Sequence, residues 1–427
     1  MHVSTKPTVV VGGGAAGLAA ARLLSRAGQS AILLEARNRL GGRAYTRSLP
    51  GLAAPVELGA EYIHGNPQIT LDLLHDAGTT NIDVARGNFE RVGDKLVDGI
   101  DRFELAYRII DRAGNLERDV SVEEFLRQIK GERDLDEAAR WFRVLVEGYD
   151  AADPERASLK EIIAEWEGPT LTGSTRPLGG YGPLVDTLVR SFDATRIDIR
   201  LRSVVEEIVW TSGGVVLNGR RDGERFSLEG SGAILTVPIT MFPTIRFSPP
   251  LADEKKRALS AIAMGSVVKV VLHFRRAWWE TLDERIREAA FFHNSATAFP
   301  TFWTQLPLHV PVITAWAGGP KAERLEGLGE DEIVHHALTS LEATFGVPAA
   351  DMHLESALAH DWGADPFARG AYSYVLVGGS GSRESLAQPI ASTLFFAGEA
   401  TSHDASGTVS GALASGERAA HEALLAR

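Results

Sequence analysis

The stretch that decides the fold is Val9-Val10-Val11-Gly12-Gly13-Gly14-Ala15-Ala16-Gly17, near the start of the chain. A helical pattern follows from Leu18 to Ala27, and a second apolar run from Ser30 to Leu34 ends in Glu35. This order predicts a strand, a glycine-rich turn, a helix and a second strand that is closed by an acid.

The glycines of this turn have separate physical roles. Gly12 permits the tight turn, Gly14 lets a pyrophosphate approach the backbone, and Gly17 lets the helix lie close on the sheet. Glu35 comes about 20 residues later, where a carboxylate can accept hydrogen bonds from a ribose diol. The stretch therefore predicts a dinucleotide site.

Composition sets the class of protein. The chain has 427 residues, which exceeds the roughly 250 to 300 residues at which single cores stop growing, so we expect two domains. The net charge of −12 argues against nucleic acid or an anionic membrane as the main partner. Met1 to Pro7 is short and polar, and no stretch reaches the length of a membrane span, so we expect a soluble cytoplasmic protein.

The absence of cysteine narrows the chemistry. Disulfides, thiolate metal sites, cysteine nucleophiles and cysteinyl cofactor links are all excluded, and no metal site is predicted. The oligomeric state does not follow from the sequence.

A second glycine turn distinguishes the cofactor. Ala36-Arg37-Asn38-Arg39-Leu40-Gly41-Gly42-Arg43 follows the acid directly, and a nicotinamide enzyme gives no reason for it. A longer, buried dinucleotide needs more backbone and arginine contacts, so FAD is favoured over NAD.

The rest of the chain predicts an α/β fold with a discontinuous, Rossmann-type FAD-binding domain of the glutathione-reductase kind. An α+β substrate domain accompanies it, with a small sheet over Phe291 to Gly318 and a helical insertion over Ile69 to Ile163. We predict the FAD-binding domain over 1–80, 195–272 and 360–427, and the substrate-binding domain over 81–194 and 273–359.

The assembled motifs resemble the flavin-containing amine oxidases, nearly end to end, and Glu61-Tyr62-Ile63-His64-Gly65 resembles the polyamine oxidase branch. The blocks that carry the resemblance are Gly12 to Gly17, Glu35 with Arg39 to Arg43, Glu57 to Gly65, Thr236 to Pro238, Met264 to Lys269, Trp362 with Asp365-Pro366, Phe396 to Glu399, Ser406 to Thr408, and Gly411 to Ala419.

The resemblance implies where FAD is held. Glu35 would bind the adenosine ribose, Arg43 the pyrophosphate, and Val205 the adenine through its backbone. Glu399 would bind the ribityl chain, while Thr408 and Val409 would present N–H groups to the flavin pyrimidine, where a helix N-terminus stabilises the negative charge of reduced flavin. The predicted cofactor-binding residues are Gly12, Gly14, Ala15, Ala16, Gly17, Glu35, Ala36, Arg37, Gly42, Arg43, Gly59, Ala60, Glu61, Tyr62, Val205, Pro238, Trp362, Gly398, Glu399, Thr408 and Val409.

Three catalytic candidates follow. Lys269 lies in the apolar run Val267 to Leu272, where burying a lysine costs free energy unless its charge has a function. The resemblance implies that this lysine holds a water beside flavin N5. The alternative is a strand-edge lysine that faces solvent. His64 matches an active-site position of polyamine oxidases, although a lone histidine is as often structural. Tyr372 matches one of two aromatics that sandwich the amine.

Two positions depart from the family's pattern. The second aromatic should stand at Thr408 and is absent, which leaves the aromatic cage half built. The covalent cysteine position is Ala371, so FAD is expected to bind non-covalently.

Other aromatic and acidic residues have weaker interpretations. Trp362 is expected beside the flavin, while Trp303 and Trp316 fit either the cavity or the core. A solvated loop is expected at the acidic segment that precedes Pro154, with Tyr149, Asp150 and Asp153.

The expected reaction is hydride transfer from the carbon beside an unprotonated amine to flavin N5, followed by imine hydrolysis and reoxidation by O2 with hydrogen peroxide as product. A di- or polyamine is favoured, and a carboxylate such as Glu61 could hold its distal ammonium. The alternatives are an L-amino acid oxidase, an amine dehydrogenase or desaturase of the same fold, and a flavin-bound binding protein without turnover.

Overall fold

The computed structural model describes residues 6–84, 87–99, 101–114, 116–168 and 173–426, so the first residues of the predicted N-terminal segment lie outside it. The helices are α1 (Ala15–Arg26), α2 (Gln68–Asp76), α3 (Arg102–Ala113), α4 (Val122–Gln128), α5 (Asp136–Gly148), α6 (Leu159–Trp166), α7 (Gly182–Arg190), α8 (Asp253–Ser260), α9 (Glu284–Arg287), α10 (Pro320–Glu323), α11 (Glu330–Phe345), α12 (Ala349–Met352), α13 (Ser382–Ala387) and α14 (Val409–Leu425).

Short strands build most of the remaining regular structure. They are β1 (Thr8–Val11), β2 (Ala31–Leu34), β3 (Thr46–Arg47), β4 (Val56–Glu57), β5 (Ile63–His64), β6 (Asn81–Asp83), β7 (Gly87–Val92), β8 (Lys95–Asp98), β9 (Ser174–Pro177), β10 (Ile197–Arg200), β11 (Ser203–Thr211), β12 (Gly214–Arg221), β13 (Glu224–Gly230), β14 (Gly232–Leu235), β15 (Arg246–Ser248), β16 (Ile262–Gly265), β17 (Val267–Phe274), β18 (Ala289–His293), β19 (Thr301–Thr304), β20 (Val312–Gly318), β21 (Leu354–Asp361), β22 (Tyr372–Val375) and β23 (Leu394–Phe396).

A five-stranded parallel sheet, in the order β10-β2-β1-β14-β23, forms the nucleotide-binding layer. Its strands come from the start, middle and end of the chain, as a discontinuous Rossmann-type fold requires. The predicted strand, glycine turn, helix and second strand are all present as β1, α1 and β2. Helix α14 packs closely on α1, because Gly416 has no side chain to meet the Ala16 carbonyl.

A second, mixed sheet has seven strands in the order β21-β17-β20-β19-β18-β7-β8. It is therefore larger than the small sheet that the sequence predicts. Strands β7 and β8 form a charged hairpin at one edge, inside the segment where only helices were expected, and edge strands with charged residues give a weak strand signal. Its interior strands are apolar, and β17 lies among them between β20 and the edge strand β21.

The helices α3 to α6 enclose a core of their own, as expected for a helical insertion. A smaller antiparallel sheet, β13-β12-β11, with β15 parallel to β11, lies against the nucleotide-binding layer through a shared apolar cluster. None of the helices described is long and apolar enough to cross a membrane.

Candidate functional site

The glycine turn at the end of β1 has the geometry that a phosphate site requires. Gly12 has a φ of +112°, and a Cβ added at Gly17 would lie 1.8 Å from the Gly12 carbonyl oxygen. The N-cap of α1, Gly14, has no side chain to cap the helix, so the first-turn N–H groups are left for a ligand anion.

Glu35 is fixed beside this turn. Its carboxylate accepts hydrogen bonds from the Gly13 N–H at 2.7 Å and from the Arg37 N–H at 2.8 Å. The side chain of Arg37 then forms a bidentate ion pair with Asp365, at 2.6 and 2.9 Å. The acid predicted to bind the ribose therefore lies where β2 meets the glycine turn, and Ala36 lies between it and Arg37.

The second glycine turn lies directly against the first. Gly41 and Gly42 both have positive φ, of +96° and +59°, and a Cβ at Gly42 would come within 3.0 Å of the Gly14 Cα. The two turns that predicted a long dinucleotide thus lie in contact.

Arg43 and Glu399 meet from opposite ends of the chain. Arg43 donates to Glu399 Oε1 at 2.9 Å and to the Ala371 carbonyl at 2.6 Å, and Glu399 Oε2 accepts from the Ser373 hydroxyl at 2.7 Å. Burial alone raises the pKa of Glu399, but Arg43 and Arg383 outweigh it and hold the pKa below its ordinary value. Glu399 is therefore an anion in a buried network.

Other predicted cofactor residues lie at several places in the fold. Pro238, Gly398 and Glu399 line one narrow cavity together with Arg43. Val205 is buried on β11. Trp362 is buried, donates from Nε1 to the Leu58 carbonyl at 2.9 Å and lies against Gly59, while the Ala60 N–H donates to the Arg43 carbonyl.

The N-terminus of α14 explains the threonine in the aromatic position. The hydroxyl of Thr408 accepts from the Gly411 N–H at 3.0 Å and donates to the Ala405 carbonyl at 2.7 Å, so it caps the helix that begins at Val409. The ring of Tyr372 lies against Gly407, immediately before this cap. The structure therefore brings Tyr372 and the α14 N-terminus together.

Lys269 is completely buried in β17, a strand that is paired on both sides, so the alternative of a solvent-facing lysine is wrong. Its Nζ donates to Glu61 Oε2 at 2.6 Å and to the Gly59 carbonyl at 3.1 Å. The residues that hold it come from the block between Glu57 and Gly65.

Glu61 contacts four side-chain donors. Besides Lys269 on one oxygen, its Oε1 lies 3.1 Å from Arg176 Nη2 and accepts from Trp303 Nε1 at 3.0 Å and Gln305 Nε2 at 3.2 Å. Burial alone raises the pKa of Glu61, but Lys269 and Arg176 hold it below its ordinary value. The protein itself therefore supplies four donors to the carboxylate, and the idea that Glu61 holds a distal substrate ammonium stays a prediction.

His64, Tyr149 and Tyr372 form a second cluster. His64 Nδ1 lies 3.0 Å from the Ser174 hydroxyl and 3.3 Å from the Tyr149 hydroxyl, and the Tyr372 hydroxyl donates to the Tyr149 carbonyl at 2.6 Å. Burial lowers the pKa of His64 to about 4, so the imidazole is neutral at pH 7. Two of the predicted catalytic residues are therefore joined through Tyr149.

The expectation of a solvated loop at Tyr149 to Asp153 is wrong. Asp150 is buried and both of its carboxylate oxygens accept from Trp166 Nε1, at 3.1 and 3.2 Å. The segment follows α5 and closes the helical core rather than leaving it, and burial raises the pKa of Asp150 well above its ordinary value.

Aromatic rings connect the two clusters. Trp303 is buried and its ring centroid lies 5.7 Å from that of Tyr62 and 5.6 Å from that of Trp316. Trp316 is partly buried and donates to the Gly148 carbonyl at 2.8 Å. Both tryptophans thus belong to the site as well as to the packed interior.

Sequence reasoning missed Arg176 and Gln305, which complete the shell of Glu61. Arg176 stands on β9 and also donates to the Tyr62 hydroxyl at 3.2 Å. An arginine in a short strand beside a proline carries no motif, so only the fold reveals its partner.

The donor set fits a flavin dinucleotide: uncapped helix N–H groups for phosphate, a fixed acid at the end of β2, and a partly buried Arg43–Glu399 pair. Comparisons with known proteins agree. The family model described as flavin containing amine oxidoreductase matches residues 15–424.

Among curated proteins, Polyamine oxidase 2 of Arabidopsis thaliana is 29% identical over 99% of this chain and 89% of that protein. Lysine-specific histone demethylase 1 homolog 3 of Arabidopsis thaliana is 28% identical over 98% of this chain, which spans 30% of that protein's length.

Solved structures share the fold. Putrescine oxidase bound to putrescine superposes with a TM-score of 0.81, at 21% identity over 99% of both chains. Cyclohexylamine oxidase from Brevibacterium oxydans IH-35A gives a TM-score of 0.83, at 19% identity over 99% of this chain and 100% of that one. The predicted α/β fold is confirmed.

Proposed function

The chain belongs to the flavin-containing amine oxidoreductases and is an FAD-dependent amine oxidase, and from this premise we propose that its substrate is a di- or polyamine. The amine would be oxidised at a carbon beside nitrogen to an imine, which water hydrolyses to an aldehyde and a shorter amine. Support for this substrate class comes from the polyamine oxidase relatives and from the neutral His64 beside Tyr149.

FAD, when bound, supplies the hydride acceptor, and O2 is the proposed oxidant that returns it to its resting state with hydrogen peroxide as product. The sequence contains no cysteine, so FAD is held without a cysteinyl bond. Acid precipitation should release yellow flavin into the supernatant, and flavin that stays in the pellet would contradict non-covalent binding.

The single observation that carries amine oxidation at this site is the buried Lys269, which donates to Glu61 and lies beside the rings of Trp303 and Trp316. An ammonium is buried at this cost where its charge is used. Its role is to hold water and charge at the reacting edge of the flavin, while the surrounding aromatic side chains exclude bulk water.

His64 and Tyr372 would orient the amine rather than transfer a proton. Burial keeps the imidazole neutral, so it offers a hydrogen-bond acceptor or donor without repelling a cationic substrate. Tyr372 presents a ring face to the amine nitrogen, and its hydroxyl is fixed by the Tyr149 carbonyl.

A second candidate is the oxidation of an N-methylated lysine side chain, which is also a secondary or tertiary amine. The match to two lysine-specific histone demethylase homologs, over nearly the whole of this chain, favours it.

The decisive experiment is anaerobic bleaching of the purified yellow protein with a panel of amines. We expect putrescine, spermidine or spermine to bleach the flavin, with leucine, phenylalanine and a methylated histone peptide as comparison substrates. Bleaching by amino acids alone would indicate an L-amino acid oxidase, and fast bleaching with slow peroxide formation would indicate a dehydrogenase. If no substrate bleaches the flavin, the proposal fails in favour of a binding protein.

A further inference from the structure

Glu61 sits at the centre of the most heavily bonded charged cluster around the proposed site. Its side chain is buried to the same extent as that of Lys269, at 4% and 1% exposure, and the two are joined at 2.6 Å. A carboxylate at this depth is stable only because polar and charged donors compensate its burial, with Lys269 on Oε2 and three further donors on Oε1.

The buried charges around Glu61 comprise one anion and two cations. Glu61 is one anion shared by two cations, Lys269 and Arg176, which approach it on different oxygens. Without that anion, two buried cations would face each other across the same cavity. Burial raises the pKa of the neighbouring acid Glu57 to about 7, so it cannot replace Glu61 as a full counter-charge.

The other charged neighbours of Lys269 are already engaged. His360 is its direct cross-strand partner on β21 and contacts Asp365 at 3.1 Å, and Asp365 in turn is paired with Arg37. On β20 the partner is the uncharged Trp316. Glu61 is therefore the charged group that fixes the Lys269 ammonium.

Two of the three N–H bonds of Lys269 are directed by this arrangement. One donates to Glu61 and one to the Gly59 carbonyl, which leaves a single N–H without a protein acceptor in the part of the chain that the structure describes. The direction of that last N–H is fixed by the other two.

We propose that Glu61 is the positioning residue of Lys269: its carboxylate is the counter-charge of the ammonium and aims the remaining N–H at the reacting edge of the flavin. The proposal rests on the proposed function only in placing that edge next to Lys269. It assigns Glu61 an electrostatic role toward a lysine, in place of contact with substrate.

The test is a double-mutant cycle of Glu61→Gln and Lys269→Met, with Glu90→Gln as the matched control. Glu90 is another buried glutamate, paired with Arg140, four strands away from β17 in the same sheet. FAD content and thermal unfolding verify that each variant is folded.

The main measurement does not depend on amine turnover. Each holoenzyme is photoreduced without oxygen and mixed with O2 between pH 6 and pH 10. We expect Glu61→Gln to slow reoxidation about tenfold and to move its pH profile to lower pH by about one unit, because the ammonium loses its counter-charge. In the Lys269→Met background, Glu61→Gln should have no further effect.

Glu61→Asp separates charge from shape. It keeps the anion and shortens the side chain, so we expect its pH profile to stay at the wild-type position, with a smaller loss of rate. It also keeps the proposal testable if Glu61→Gln does not bind FAD. Wild-type reoxidation by O2 remains measurable even if no amine reduces the flavin, so failure of the proposed substrate class is a separate outcome.

A direct titration provides the final criterion. Protein labelled with ¹³C in lysine, with the Lys269 signal assigned from its loss in Lys269→Met, reports the proton on Nζ in apoprotein and holoenzyme alike. The proposal is overturned if Glu61→Gln leaves that titration in place, or if it slows reoxidation equally with and without Lys269.

Discussion

The glycine turns and the Lys269 site hold their ligands by opposite means. At residues 12–17 and 41–42 the groups available to a ligand are backbone N–H groups, which are accessible because glycines have no side chains. These residues all lie within one short segment. The Lys269 site consists of the charged side chains of Lys269, Glu61 and Arg176, which come from three distant segments of the chain. We therefore expect the glycine turns to be disrupted by any substitution that adds side-chain atoms. We expect the Lys269 site to tolerate changes of side-chain shape and to be disrupted by substitutions that change its net charge.

The largest effect is expected from breaking the backbone site with Gly17→Ala. The added Cβ would overlap the Gly12 carbonyl oxygen at 1.8 Å, so the turn must open and the phosphate N–H groups lose their alignment. We expect the Kd for FAD to rise about 100-fold or more, measured by flavin titration of the apoprotein.

Gly329→Ala is the control for this change, because nothing lies within 4 Å of its added Cβ and its φ is −66°. A Gly17→Ala protein that purifies with a full complement of FAD would show that the close contact is not required.

The charge site should fail differently, with FAD still bound. Lys269→Met replaces a buried ammonium with an apolar side chain of similar length and leaves Glu61 paired with Arg176. We expect flavin reduction or reoxidation to slow about tenfold or more in stopped-flow experiments, at unchanged FAD content.

Lys321→Met provides a matched control, because that partly buried lysine donates to two backbone carbonyls, of Ser295 and Thr297, and contacts no carboxylate of the described residues at hydrogen-bond distance. Equal rates in Lys269→Met and the wild type would remove Lys269 from the mechanism.

The same contrast explains how much the sequence could predict. The strand, turn and helix of residues 8–26 and the acid Glu35 follow from local rules of φ and spacing, and each is present. The resemblance implies Thr408 and Val409 at a helix N-terminus, which is where α14 begins. Burial of Lys269 also follows locally, from its apolar neighbours.

What local rules could not supply were partners from elsewhere in the chain. Arg176 reaches Glu61 only because β9 pairs with β5, and Tyr149 meets His64 only because α5 ends beside that pair. The acidic residues after Tyr149 have the composition of a surface loop, and the buried one, Asp150, is stabilised by the Trp166 donor from α6. The charged hairpin of β7 and β8 forms strands because β7 pairs with β18 and so extends the sheet.

A smaller effect should come from Glu57, the unbalanced acid next to the charge site. Its Oε1 accepts from the Thr46 hydroxyl at 2.5 Å and the Tyr181 N–H at 2.6 Å, while its buried Oε2 has no partner among the described residues. Burial raises its pKa from 4.5 to about 7. Between these values the folded state retains a proton that the unfolded state loses, so this group lowers stability as pH rises through the window.

Glu57→Gln mimics the protonated acid and should remove that loss. Relative to the wild type, we expect it to gain about 1 to 2 kcal/mol of unfolding free energy at pH 8 compared with pH 5, in urea unfolding of the holoenzyme. Glu132→Gln is the control, because Glu132 is exposed and its pKa is lowered by Arg112. An equal gain at both pH values would mean that packing, rather than charge, is responsible.

The smallest effect is expected at His64, where the site is neither backbone nor charge. Burial lowers its pKa to about 4, so the imidazole carries no charge from pH 5 to pH 9 and its Nδ1 serves only as a hydrogen-bond partner of Ser174 and Tyr149. His64→Asn should therefore lower the rate of anaerobic flavin reduction about threefold without moving the position of its pH profile.

The effect of His64 on stability has the opposite sign to that of Glu57. The unfolded state binds a proton at His64 below about pH 6.5, whereas the folded state binds it only below about pH 4, so acid destabilises the wild type. His64→Asn should therefore lose less stability than the wild type between pH 7 and pH 5. The wild-type pH profile of flavin reduction could instead show an inflection near pH 6.5 that disappears in His64→Asn. That result would show that His64 is charged in the working enzyme and acts together with the charged residues around Lys269.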